Sequence, residues 1–197
     1  MGAITRRCGV SVMVVWALAM PRVVLAEGLT RESLQAAYTN VRTLSADIEQ
    51  TKSSPYLFKP LVSTIHLEYA NGRIVWRVLE PVRGELVFDE GKISSDVPGL
   101  LPPGAAERMI PLMRLFRAIF SVDLAAIEQD FDLRFSANVL EAQSRAGSQL
   151  TLVKKLVFQF APNLFPERIT VDVEGETTEL RFLRFELSRG GAAKATP

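Results

Sequence analysis

Asn71-Gly72 lies between two runs of alternating residues, and no other feature constrains the fold of this chain as strongly. Before it, Ile65, Leu67 and Tyr69 alternate with Thr64, His66 and Glu68. After it, Ile74, Trp76 and Val78 alternate with Arg73, Val75, Arg77 and Leu79. A period of two puts successive side chains on opposite faces of a strand, so each run is a strand with one apolar face. Asn-Gly suits the two positive φ angles of a type I′ turn, so the two runs form a hairpin. A third strand, Gly84–Asp89, follows the break at Pro81. Asp89-Glu90-Gly91 then turns into a short fourth strand at Lys92–Ser95. This is an antiparallel meander.

Helical spacing flanks the meander. Leu34, Ala37, Tyr38, Val41, Leu44 and Ile48 recur at intervals of three and four, which predicts one amphipathic helix from Leu29 to about Lys52. Thr30 is its expected N-cap, and Leu29 packing on Leu34 would form the hydrophobic staple. Past the Pro/Gly-rich break at Pro98–Gly104, Met109–Phe120 predicts a helix apolar around most of its circumference, interrupted by Arg114 and Arg117. Such a helix must be buried or must cover something apolar. Asp123–Asp130 adds one or two turns. Four further strands are expected at Phe131–Ala137, Leu150–Phe160, Arg168–Glu174 and Thr178–Leu187.

Seven or eight antiparallel strands with one apolar face must curl or be covered. The expected fold is therefore α+β, a single domain. A β half-barrel with an N-terminal amphipathic helix and helices packed in its mouth satisfies this. Ile65, Leu67, Tyr69, Ile74, Trp76, Val78, Leu86 and Phe88 should line one concave face; taken alone they read as an ordinary close-packed core, and the apolar excess of the segment over them points instead to a cavity wall. Met109, Leu112, Met113, Leu115, Phe116 and Phe120 are the expected lid, and methionines suit irregular apolar surfaces.

The N-terminus bears on where such a domain works. Arg6 and Arg7 precede an apolar run of 11 residues, Val10 to Met20, and then Val24-Leu25-Ala26. That is the layout of a secretory signal peptide cleaved after Ala26. The run is shorter than the roughly 20 residues a bilayer span requires. The expected organisation is a signal peptide at 1–26, a domain at 27–188 and a frayed tail at 189–197, exported out of the cytoplasm. Arg6-Arg7 lacks the hydrophobic sequel of a twin-arginine signal, so ordinary secretion is the better reading. Loss of three arginines takes 23 basic residues to 20 against 22 acidic ones, a net charge of −2. That balance carries no electrostatic footprint for nucleic acid. The one cysteine, Cys8, precedes the apolar run, where it can be neither a lipidation site nor part of a disulfide framework in the exported chain.

Residues that support catalysis are sparse. His66 is the one histidine and by parity points outward, with no evident partner. There is no G-x-S-x-G, G-x-G-x-x-G or P-loop pattern. Glu32, Asp47, Glu49, Asp172 and Glu174 read as solvated face residues rather than as an acid–base pair. No enzymatic activity, metal or cofactor is expected.

Taken in order, these features are an export signal, a Leu-rich helix ending in Ile48-Glu49-Gln50, and a hairpin with Trp76 followed by Pro81. Val87-Phe88-Asp89-Glu90-Gly91-Lys92 completes the series. The combination resembles the outer-membrane lipoprotein carrier (LolA-like) family over most of residues 29–187. The resemblance implies an unclosed antiparallel β half-barrel with a helical lid over a hydrophobic cavity, working in the periplasm. It implies an acylated lipoprotein or lipid cargo, an inner-membrane releasing complex and an outer-membrane acceptor, handled by a monomer. It also marks two departures. Ile48 stands where many members have an aromatic residue. Ala70 stands where classical carriers have an arginine, with Arg73 expected on the opposite face. Relatives that serve other lipid cargo, such as those accompanying aryl-polyene export, match such a variant. A lipid-sensing or protein-interaction module of the same fold is the alternative.

Overall fold

The computed structural model describes residues 28–97, 110, 113–118, 123–148 and 153–189. The expected signal peptide, the break at Pro98–Gly104 and residues 190–197 of the expected tail lie outside the described residues.

Ten strands form one antiparallel sheet in the order β5-β4-β3-β2-β1-β10-β9-β8-β7-β6. In chain order they are β1 (Val41–Ser53), β2 (Leu61–Ala70), β3 (Arg73–Glu80), β4 (Gly84–Asp89), β5 (Lys92–Ser95), β6 (Phe131–Ser136), β7 (Val139–Ser144), β8 (Val153–Phe160), β9 (Pro166–Val173) and β10 (Glu176–Arg189). Apart from β5 and β6, strands adjacent in sequence pair with one another, and β1 pairs with β10. The ring is therefore one ladder short of closure, the missing pairing being β5 with β6. The helical stretch between those two strands is the part of the chain that leaves the sheet. The sheet is open, as expected.

The hairpin forms where the sequence placed it. Asn71 and Gly72 both have positive φ, 51° and 85°, and Tyr69 lies opposite Ile74. Glu90-Gly91 and Glu174-Gly175 repeat the device, at φ of 48° and 78° and of 47° and 84°. Strands β3, β4 and β5 have the bounds read from the sequence.

The long first helix is a correction. Helix α1 covers only Arg31–Tyr38, after which Thr39 is extended and Asn40 has φ 60°. The next thirteen residues are β1. Leu44 and Ile48 are four apart, which satisfies a helix, but with Ala46 between them they also satisfy a strand. The strand wins because β1 is flanked on both sides, by β2 and by β10, and the ladders run nearly its whole length. Strand β7 was not anticipated. Its inward residues are Leu140 and the small Ala142, and its entry turn at Ala137-Asn138 has no glycine. Strand β10 reaches Arg189, which had been assigned to the frayed tail.

Helix α1 begins at a capping box: the Thr30 hydroxyl accepts from the Ser33 amide at 3.1 Å, and Ser33 Oγ accepts from the Thr30 amide at 2.9 Å. Leu29 and Leu34 are both buried, as the staple requires. Residues 113–118 form a helical segment, α2. Helix α3, Leu124–Asp130, is capped by Asp123, whose carboxylate accepts from the Ala126 amide at 3.0 Å. No helix among the described residues is long and apolar enough to cross a membrane.

Candidate functional site

The inward face of β1–β5 is built as rows of cross-strand neighbours. One row runs Leu44, Tyr69, Ile74, Phe88 and Ile93, and the next runs Ala46, Leu67, Trp76 and Leu86. Ile48, Ile65 and Val78 make a third. All eight residues expected in the wall therefore share one face. Ile65, Leu67, Tyr69, Ile74, Trp76 and Phe88 are buried, while Val78 and Leu86 are half-buried against them. Full burial of an aliphatic or aromatic side chain is worth about 1.5–3 kcal/mol, so this face cannot be left wet.

Helix α2 covers it. Met113, Leu115, Phe116 and Ala118 are buried, with Arg114 and Arg117 exposed between them. The Phe116 ring is tilted 38° against Trp76, with centroids 6.1 Å apart. A residue expected in the lid thus packs on one expected in the wall. Of the other lid residues, Met113 and Leu115 join the same core, whereas Met109, Leu112 and Phe120 lie outside the described residues.

The two lid arginines reach hairpin turns of the sheet. A Cβ placed on Gly72 would meet the Arg117 guanidinium at 3.3 Å, and one on Gly91 would lie 3.9 Å from Arg114 Nη2. Glycine at these turns both adopts the positive φ and leaves room for a guanidinium. Sequence spacing had shown Arg114 and Arg117 only as breaks in an apolar helix. The cue that could have found their contacts is a pair of glycine turns at the same end of the sheet as the lid.

Ala70 is exposed and lies opposite Arg73 in the ladder, so both are on the outward face. This corrects the expectation that Arg73 points the other way from Ala70. A direct cross-strand pair always shares a face, and Arg73 Nε is 3.8 Å from Asp89. Position 70 therefore faces away from the lid.

The outward face is polar. Arg184, Asp47, His66, Arg77 and Glu85 are successive cross-strand neighbours. His66 has partners after all: Nδ1 lies 2.6 Å from Asp47 and Nε2 lies 3.4 Å from Glu68. Arg77 donates to Glu85 at 2.6 Å and pairs with Glu68 at 2.9 Å. Its hydrogen bond is the main reason that the Glu68 carboxyl stays below its ordinary range. Glu49 pairs with Arg181 at 3.0 Å. These are half-exposed surface pairs, each worth no more than about 1 kcal/mol. They do not converge on a pocket that could hold a reacting group. Among the described residues no group of three His, Cys, Asp or Glu side chains could hold a metal ion. A cleft of about 370 Å³ opens where β1 meets β2 and β10, on the side that carries Thr43, Ser45, Glu68 and Ala70.

No family model and no curated protein matches the chain. Several solved structures are similar to it. A LolA superfamily protein from Nitrosomonas europaea aligns at 11% identity and TM-score 0.41, over 83% of this chain and 96% of that one. MucB aligns at 14% identity and TM-score 0.47, over 83% of this chain but only 59% of MucB. A putative outer membrane lipoprotein-sorting protein domain from Vibrio parahaemolyticus aligns at 10% and 0.38, over 82% and 92%.

Proposed function

We propose that this protein is a periplasmic carrier that shields the acyl chains of a lipoprotein, or of another outer-membrane lipid, between the sheet and its lid. The observation that carries this reading is the Trp76–Phe116 contact. An apolar wall on half of an open sheet is covered by a short helix that packs by ring stacking and aliphatic contact. Acyl chains can replace such contacts with little loss. Exposing each acyl CH₂ to water costs about 0.8 kcal/mol, so a multi-chain anchor requires cover in transit. A lid that returns to Trp76 when empty offsets part of that binding and lets cargo go. The wall is Ile65, Leu67, Tyr69, Ile74, Trp76, Val78, Leu86 and Phe88. The lid is the segment containing Met109, Leu112, Met113, Leu115, Phe116 and Phe120. Loading would come from an inner-membrane complex, and delivery would be to an outer-membrane acceptor. The chemistry needs no catalytic residue.

The test is to load the purified protein with lipid extract, recover it, and identify retained acyl species by mass spectrometry. Retention that falls on Trp76→Ala supports the carrier. A protein that never retains an acyl species is not one.

A second reading, a lipid-sensing or protein-interaction module of the same fold, is favoured by how tightly the wall is filled. Ile48, Ile65 and Leu67 are 0% exposed beneath the cover. A protein-interaction module predicts no acyl retention, and a lipid sensor predicts retention without transfer of the bound lipid to acceptor vesicles.

A further inference from the structure

The largest exposed apolar side chains gather at the end of the sheet away from the lid arginines. The β1–β2 connection reads Ser54-Pro55-Tyr56-Leu57-Phe58-Lys59-Pro60. Tyr56 is 92% exposed and Phe58 is fully so; Leu61 and Val62 beside them are about half exposed. Thr64 lies opposite Glu80, so Leu79 and Val82, also exposed, belong to the same end. Two prolines frame the loop, and its turn is closed by the Leu57 amide donating to the Ser54 carbonyl at 3.0 Å. The backbone holds these side chains out instead of letting them fold back. Exposed apolar clusters of this kind mark an interaction site.

We propose that this loop is a membrane-docking tip that inserts Tyr56 and Phe58 into the headgroup–acyl boundary of an anionic bilayer. Three observations favour lipid over a protein partner. The cluster is convex, whereas a protein would have to supply a matching pocket for each ring; a fluid bilayer accepts any apolar tip. Its composition, aromatic rings beside a lysine, is that of side chains that settle at the membrane–water interface. Its charge also fits. No acidic residue occurs between Glu49 and Glu68, a stretch that carries Lys52 and Lys59, and Arg83 follows Val82. Lys52 is partly neutralised by Glu176 at 2.6 Å, and Glu80 is exposed at the same end, so the loop itself, through Lys59, and Arg83 beside Val82 carry the attraction to anionic headgroups. A few inserted side chains with two cations give weak, reversible binding, on the order of the 10⁴ M⁻¹ of a single acyl anchor. The inference does not depend on the carrier reading, because it concerns a different end of the sheet and requires no cargo.

Vesicle sedimentation tests it, using vesicles of phosphatidylethanolamine with phosphatidylglycerol and, separately, of phosphatidylcholine. All proteins compared share one N-terminus, so differences report the loop. The wild type is expected to bind the anionic vesicles, and the Tyr56→Ser/Phe58→Ser double variant to bind about tenfold more weakly. Lys59→Glu with Arg83→Glu should weaken binding to anionic vesicles and leave the weak binding to phosphatidylcholine unchanged. Phe58→Trp should shift its emission to the blue on adding vesicles. Circular dichroism of each variant should match the wild type, since the side chains changed are exposed. Equal sedimentation of the wild type and the double variant overturns the proposal. So does a wild type that ignores both vesicles while a photo-crosslinker at position 58 captures a protein instead.

Discussion

The two halves of the sheet are covered by different kinds of contact. Over β6–β10 the cover is α1 with α3, and it is tied down by directional bonds. Tyr38 donates to the Leu164 carbonyl at 3.0 Å, Arg189 donates to the Ala37 carbonyl at 2.6 Å, and Arg31 pairs with Glu128. The Leu29 amide also donates to the Ala137 carbonyl. Over β1–β5 the cover is α2, and it meets the sheet through the Trp76–Phe116 rings and through guanidinium groups laid on Gly72 and Gly91. An acyl chain can take the place of a phenyl ring on Trp76. It cannot take the place of a phenol donating to a carbonyl, because the freed acceptor would be left without a partner. On the carrier reading, the cover over β1–β5 is the one expected to exchange and the cover over β6–β10 the one expected to stay.

Truncation of buried rings gives the largest test of that difference. Phe131, at the start of β6, is 0% exposed, and Phe131→Ala should cost about 3–5 kcal/mol in denaturant unfolding. Phe116→Ala removes the same ring from α2 and should cost about half as much, because a cover free to shift collapses into part of the void. The lid variant should also change the uptake of a fluorescent fatty acid, which the Phe131 variant, if still folded, should not. Equal stability losses would mean that both covers are fixed core, and the distinction would fall.

The next effect is smaller and falls on the tied half. Tyr38→Phe removes one hydrogen bond and should cost about 1 kcal/mol at neutral pH. Burial pushes the Tyr38 phenol well above its ordinary value of 10, with Arg189 pulling it back in part. The unfolded chain therefore ionises first. The stability that Tyr38 contributes is complete below pH 10 and declines as the pH rises past it toward the raised folded value. Thermal melts of the wild type should lose stability in that alkaline range, and Tyr38→Phe should flatten the loss. An unchanged alkaline limb would mean that Tyr38 does not control it.

The sequence made the meander legible because its signals were local. Asn71-Gly72, Glu90-Gly91 and Glu174-Gly175 are turns whose residues state their own φ angles, and between them the apolar residues alternate. Residues 41–53 failed because a spacing of four is common to both periods. Only the two flanking ladders decide between them, and those partners are far away in sequence. Strand β7 was hidden by its small Ala142 and by a turn without glycine. That Ile65 to Phe88 put their apolar residues on one shared face was legible by parity alone. The bonds that fix α1, and the arginines that sit on glycine turns, arise from tertiary placement and leave no periodic trace. The exposed Tyr56 and Phe58 do show in the sequence, as an apolar run framed by Pro55 and Pro60.

A pair of matched glycines gives the smallest and most selective comparison. Gly72 and Gly175 have nearly the same backbone, φ +85° and +84°, each as the second residue of a two-residue hairpin turn. At Gly175 a Cβ would meet nothing within 4 Å; at Gly72 it would meet the Arg117 guanidinium at 3.3 Å. Alanine at either site therefore bears the same backbone strain, about 1 kcal/mol. Only Gly72→Ala also pushes on the lid. The excess cost of Gly72→Ala over Gly175→Ala, expected to be a few tenths of a kcal/mol on the scale of a coupled pair, measures how firmly Arg117 is seated. Adding Arg117→Ala should erase that excess and leave Gly175→Ala unchanged, which a double-mutant cycle reads directly. Were the excess to survive without Arg117, the strain at position 72 would belong to the turn itself. The lid would then have no hold on that hairpin.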